Sequence, residues 1–166
     1  MVNRFFISDT HFGHTAVYTF TDKVTGKRIR PWADNPADGD EYMIKMWNSV
    51  VKPNDKVYHL GDVAFPRKSL DLLGRLNGKK VLIKGNHDIF DLRDYTKYFV
   101  DVRGAFEHAD MIFTHVPVHT KLQSRWKLNV HGHLHSDVID DPFYVNVSVE
   151  QINATPIHFD ELVSKL

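Results

Sequence analysis

The sequence predicts an α/β fold: a parallel sheet with helices packed against it, followed by further strands. Three observations carry this. Short apolar runs of strand length alternate with stretches of helical period in the first half of the chain, giving the order β-α-β-α-β. The pattern turns strand-rich after residue 99. Five of the apolar runs are followed by Asp, His or Asn, often next to a glycine.

The elements follow in order. Arg4 to Ser8 reads as the first strand. The stretch from Thr21 to Arg30 reads as a hairpin with Gly26 at its turn. Asp38 to Val51 has the period of a helix, with Met43, Met46, Trp47 and Val50 on one face and Asp38 or Asp40 able to cap it. Lys56 to Leu60 is a second strand. Ser69 to Leu76 reads as a short helix with Leu72, Leu73 and Leu76 inward, stopped by Asn77-Gly78. Lys80 to Lys84 is a third strand, and Ile89 to Phe99 reads as helical. Strands are predicted at Val100 to Glu107, Asp110 to Thr114, Lys127 to Val130 and Phe143 to Val147, with a last helix from Asp160.

Composition narrows the possibilities. A chain of 166 residues suits one domain, 1–166, which buries roughly 70% of its unfolded surface without staples. There is no cysteine, so disulfides and thiolate metal sites are excluded and a cytoplasmic location is expected. The apolar stretch near the N-terminus, residues 5–8, is too short for a signal peptide or membrane span. A formal net charge of zero argues against an extended nucleic-acid surface. Histidine is abundant, eleven residues, and several lie in short clusters with Asp, Asn and Gly.

In open α/β sheets, ligands bind beyond the carboxyl ends of the strands. There the sequence places Asp9-Thr10-His11, Gly61-Asp62, Gly85-Asn86-His87-Asp88, His115 and His131-Gly132-His133-Leu134-His135. If these strands share a sheet, the groups converge on one edge. Carboxylate, imidazole and amide oxygen without sulfur suit divalent Mn, Fe, Co, Ni or Zn better than Ca or Mg. Seven such residues exceed one coordination shell and fit two, with one shared carboxylate. In His133-Leu134-His135, alternate rings can reach different metals while Leu134 turns toward the core.

The ordered set D-x-H, G-D, G-N-H-D, H and G-H-x-H, from Asp9 to His135, resembles the calcineurin-like metallophosphoesterase superfamily, in its small stand-alone bacterial and phage form. The resemblance implies a four-layer αββα sandwich of two mixed sheets flanked by helices. It implies that Asp9, His11, Asp62 and His135 hold one metal, and that Asp62, Asn86, His115 and His133 hold a second. Manganese is the first choice. It further implies in-line attack on phosphorus by a hydroxide between the metals, with His87 as the acid and Asp88 orienting His87. The GDxVDRG signature of protein phosphatases is missing: the segment here reads Gly61-Asp62-Val63-Ala64-Phe65-Pro66-Arg67.

Around that site, His14 and His119 are candidates for contact with substrate, as is Arg30, whose planar guanidinium suits a phosphate. Lys23 and Lys27 are either substrate contacts or one solvated face of the hairpin. Trp32 reads as core packing. The substrate expected is a small phosphorylated or nucleotide-derived diester; a monoester or a nucleic-acid end is the alternative, and a non-catalytic scaffold a third.

Overall fold

The computed structural model describes residues 2–166. Strands β1 (Arg4–Ile7), β2 (Lys56–His59), β3 (Lys79–Ile83) and β4 (Phe99–Arg103) form a parallel set. The short β9 (Ile157–His158) adds antiparallel to β1, giving the order β4-β3-β2-β1-β9. A second mixed sheet has the order β5-β6-β7-β8, from β5 (Phe106–His108), β6 (Met111–Phe113), β7 (Leu128–His131) and β8 (Tyr144–Asn146). Here β5 is antiparallel to β6, and the other pairs are parallel.

Side-chain alternation explains how the layers stack. In β1, Phe5 and Ile7 join Val57 and Leu82 in a core closed by Met43, Trp47, Leu70 and Leu73. Phe6, with Tyr58, Val81 and Ile83, faces the other way into a core shared with Met111, Phe113, Leu128 and Val130. The strands are apolar on both faces because both faces are covered. In β7, Leu128 and Val130 point inward, so Asn129 lies on the outer face, where it accepts from Val118 N at 2.8 Å. Tyr144 donates to Val118 O on the same face. The fourth layer is therefore thin, built from the segment around the one-turn 3-10 helix Thr120–Leu122.

Helix α1 spans Pro36–Val50. Its cap is Asn35, which accepts from Asp38 N with Pro36 in the first turn, not Asp38 or Asp40 as the sequence predicts. Asp40 instead accepts from Gly13 N. The segment predicted helical from Ser69 is a 3-10 helix, Arg67–Arg75. Its buried leucines are Leu70 and Leu73, with Leu76 just beyond the end. That spacing of three is the 3-10 period, which leaves Leu72 only partly buried. The helix predicted for 89–99 shrinks to α2 (Leu92–Tyr95), because Ile89 and Leu92 are exposed and Phe99 is drawn into the core as β4. The strand predicted for 100–107 divides at Gly104 into β4 and β5, each at the edge of a different sheet. The last helix, α3 (Phe159–Val163), is capped by His158. Among the described residues, no helix is long and apolar enough to cross a membrane.

Candidate metal centre

The carboxyl ends of β1 and the segment after β8 are joined by backbone bonds, Ser8 N to Val147 O at 2.9 Å and Val149 N to Ser8 O at 3.1 Å. This seam brings the loops of both sheets to one edge. Five residues on these loops, Asp9, His11, Asp62, His133 and His135, have φ between +46° and +67°. Left-handed backbone is uncommon outside glycine, and its concentration at one edge marks a site whose side-chain directions are imposed by the fold. Two glycines make room. A Cβ on Gly132 would lie 2.3 Å from Asp9 Oδ2, and one on Gly85 would lie 2.3 Å from Asp62 Oδ1.

The side chains form two groups. Asp9, His11 and His135 offer donor atoms within 4.8 Å of one another, and so do Asp62, His115 and His133. Each carboxylate has one oxygen tied down and the other aimed inward. Asp9 Oδ2 accepts from His133 N at 2.8 Å and Ser148 Oγ at 3.0 Å. Asp62 Oδ1 accepts from His87 N at 2.8 Å. Asp62 Oδ2 then lies 3.5 Å from His11 Nε2 and 3.3 Å from His115 Nε2, between the two groups. His115 is fixed by Nδ1 donating to Leu60 O at 2.7 Å. Its Nε2 therefore presents a lone pair, with Asn86 Oδ1 at 2.9 Å and His133 Nδ1 at 3.2 Å around it.

Such a set of converging acceptors fits cations. Asp9 Oδ1 and His11 Nε2 are buried without a hydrogen-bond partner among the described residues, and an orphaned buried polar atom costs about 1–3 kcal/mol. Burial and the Arg30 charge push the His11 imidazole down to about 2, so the ring stays neutral, the form that binds metal. Burial would raise the Asp62 carboxyl, but the neighbouring His115 and the bond from the His87 backbone N–H outweigh it and hold it at about 2. All seven residues predicted as ligands thus lie at this edge. His87 is exposed, with its ring 5.5 Å from that of His11, and His14 lies 5.4 Å from the same ring.

Other predicted roles are corrected. Arg30 is fully buried: it donates to Asp9 O at 2.6 Å, Thr10 O at 2.9 Å and Glu150 Oε1 at 2.7 Å, so it braces the loop after β1 from beneath and presents no surface to a phosphate in solvent. Asp88 does not orient His87. Its carboxylate accepts from the backbone N–H of Asp62, Val63 and Gly85, knitting the second and third loops together. His119 is exposed, and its ring accepts from Lys121 N as the cap of the 3-10 turn Thr120–Leu122. Leu134 is half-buried and lines a surface cleft instead of turning into the core. Trp32 packs on the core and stacks on Tyr42, as read from the sequence.

Glu150, which the sequence reading passed over, and His59 support the site. Glu150 accepts from His135 Nδ1 at 3.1 Å, which leaves Nε2 for a metal. The signal was available, since Glu150 follows the strand predicted at Phe143–Val147 as the ligands follow theirs. Thr10 Oγ1 lies 2.9 Å from His59 Nε2 while His59 Nδ1 accepts from Gly61 N, so His59 links two metal loops.

Comparison with known proteins agrees with this geometry. The calcineurin-like phosphoesterase family model matches residues 4–165. An uncharacterised protein of Methanocaldococcus jannaschii is 34% identical, the match covering 96% of this chain and 88% of that one. The gene 66 protein of Mycobacterium phage D29 is 30% identical, covering 84% and 81%. The crystal structure of a protein of unknown function from Aquifex aeolicus superposes over the whole of both chains with a TM-score of 0.76 at 24% identity, a likeness of fold. With this fold, this ordered ligand set and a family match over almost its whole length, the chain belongs to the calcineurin-like phosphoesterase family.

Proposed function

We propose that this protein hydrolyses small phosphate esters, with nucleotide-derived phosphodiesters as the favoured class, using two divalent transition-metal ions. The carrying observation is Asp62 Oδ2, placed between His11 Nε2 and His115 Nε2 at 3.5 and 3.3 Å. One carboxylate oxygen shared by two nitrogen- and oxygen-rich groups is what a metal pair needs. Asp9, His11, Asp62 and His135 would hold one ion; Asp62, Asn86, His115 and His133 would hold the other. Manganese is the first choice, ahead of Fe, Co, Ni and Zn, because the donors include hard oxygens and no sulfur. Such a pair supplies positive charge for phosphate oxygens and acidifies water.

The chain's own residues do the rest. His87, exposed beside His11, donates a ring proton to the leaving oxygen. His14, half-buried and also beside His11, offers a ring N–H to a non-bridging phosphate oxygen. Asp88 holds the two loops from which Asp62 and His87 project. A cysteine-free chain suits a reducing cytoplasm.

The test is hydrolysis of bis-p-nitrophenyl phosphate, p-nitrophenyl phosphate, 2′,3′- and 3′,5′-cyclic nucleotides and a short single strand, each with Mn, Ni or EDTA. Turnover of the diesters that EDTA abolishes is expected. His87→Ala should keep its metal and lose roughly 10²–10⁴-fold in turnover of unactivated esters, less with nitrophenolate as the leaving group. Preference for the monoester would reverse the substrate class, and no turnover in protein carrying two metal equivalents would sink the hydrolytic reading.

A further inference from the structure

Beside the metal centre lies a cleft of about 380 Å³ that the catalytic reading leaves unused. This is within the range of about 300–1,000 Å³ typical of small-molecule sites. One wall is the turn carrying His133, Leu134 and His135; the other is the hairpin, with Phe20, Thr21, Lys23 and Ile29. The two metal-ligand residues in its lining make the cleft continuous with the place where a phosphate would sit.

The hairpin's position is set from beneath. Ile29 N donates to Phe20 O and Thr21 bridges Arg28, so Phe20 and Ile29 are held side by side. The next residue but none, Arg30, is locked to the Asp9 and Thr10 carbonyls and to Glu150, which also holds His135. The apolar wall is therefore referenced to the metal loop itself. Phe20 lines the cleft and remains 44% exposed, so an apolar aromatic side chain stays in reach of a ligand. The apolar side chains of Phe20, Ile29 and Leu134 share the lining with Thr21, Ser136 and Asp137, whose carboxylate pairs loosely with Lys23 at 3.7 Å. A lining that combines apolar surface with hydrogen-bond donors and acceptors matches a group that is flat, apolar on its faces and polar around its rim.

We infer that this cleft is the specificity pocket of the enzyme and takes the nucleobase of a nucleotide ester, stacked on Phe20, while the phosphate lies at the metal centre. The inference rests on the proposed function for the position of the phosphate. It makes Phe20 a specificity-determining residue and Thr21, Ser136 and Asp137 the readers of the base edge.

Binding tests it without turnover. In manganese-loaded protein, the affinities of AMP and ribose 5-phosphate are measured by calorimetry; the two share phosphate and sugar and differ by the base. AMP should bind roughly tenfold more tightly, the advantage expected of one base–aromatic stack. Phe20→Ala should remove that selectivity, Phe20→Trp should retain it, and Val100→Ala, an exposed change on β4, should leave it intact. Thermal melts establish that each variant is folded. Equal affinity for the two ligands, binding of neither, or selectivity that survives Phe20→Ala would overturn the assignment. Base selectivity in a protein that hydrolyses no ester would instead unseat the hydrolytic reading and keep the cleft. Hydrolysis with no preference for a base would do the reverse.

Discussion

Glu150 Oε1 lies 3.1 Å from Nδ1 of His135, and its side chain is only 1% exposed. The same oxygen accepts from Arg30 Nε at 2.7 Å. Burial alone would raise the Glu150 carboxyl, but the charges of Arg30 and His135 hold it below its ordinary value, so it stays ionised. An ionised Glu150 can only accept, which fixes the proton of His135 on Nδ1 and directs Nε2 toward Asp9.

Glu150→Ala should therefore weaken one metal equivalent by about 10–100-fold, read by competition with a chelator. It should also lower thermal stability, because the buried Arg30 charge loses its partner at a cost of about 3–5 kcal/mol. Glu150→Gln keeps an acceptor for His135 and should recover part of the metal affinity. Metal binding unchanged in Glu150→Ala would show that His135 needs no such support.

Asp62→Asn should reduce both metal equivalents, since Asp62 Oδ2 faces both groups. Asp9→Asn should reduce mainly one. Metal content after dialysis separates the two outcomes. Activity should fall further in Asp62→Asn than the roughly 10–100-fold loss tied to an outer partner such as Glu150. Loss of a single equivalent in Asp62→Asn would contradict a shared carboxylate.

Arg30→Lys should cost stability and leave KM for phosphate esters nearly unchanged. An ammonium cannot span the Asp9 carbonyl, the Thr10 carbonyl and Glu150 as the guanidinium does. Leaving one buried acceptor unpaired costs about 1–3 kcal/mol. A stable variant with a sharply raised KM would restore Arg30 as a substrate ligand.

Asp40 gives a pH signature. Burial raises its carboxyl from 3.8 to about 6, against the opposing bond from Gly13 N. The unfolded chain gives up this proton first as pH rises, so the folded state loses stability from 3.8 to about 6. Asp40→Asn keeps an acceptor for Gly13 N and has no charge to bury. Its stability relative to wild type, followed by thermal melts, should rise across that window by on the order of 1 kcal/mol after solvent screening. Parallel melting curves across the window would rule out a buried ionising Asp40.

The strand-end rule made much of the candidate site legible in the sequence. Asp9, Asp62, Asn86, His115 and His133 each follow an apolar run, and local sequence carries both the run and the polar residue after it. The first three strands and α1 were legible for a similar reason, since their periodicity is a local property. Arg30 was misread because a guanidinium suits a phosphate and a pair of carbonyls equally well, and only the fold shows which lies within reach.

What the sequence by itself determined was the candidate ligand set, its order and the parallel strands that deliver it, because each rests on residues within a few positions of one another. The tertiary structure alone decided that residues 100–107 divide between two sheets and that Asp88 ties backbone N–H groups instead of His87; the strand-end position of Glu150 marked it as a site residue, but only the fold pairs it with His135, fifteen residues away. It also decided that the hairpin's apolar side faces the His133–His135 turn. Those are contacts between segments distant in sequence. Burial and the competition of many acceptors for few donors settle them, and no local pattern records the outcome.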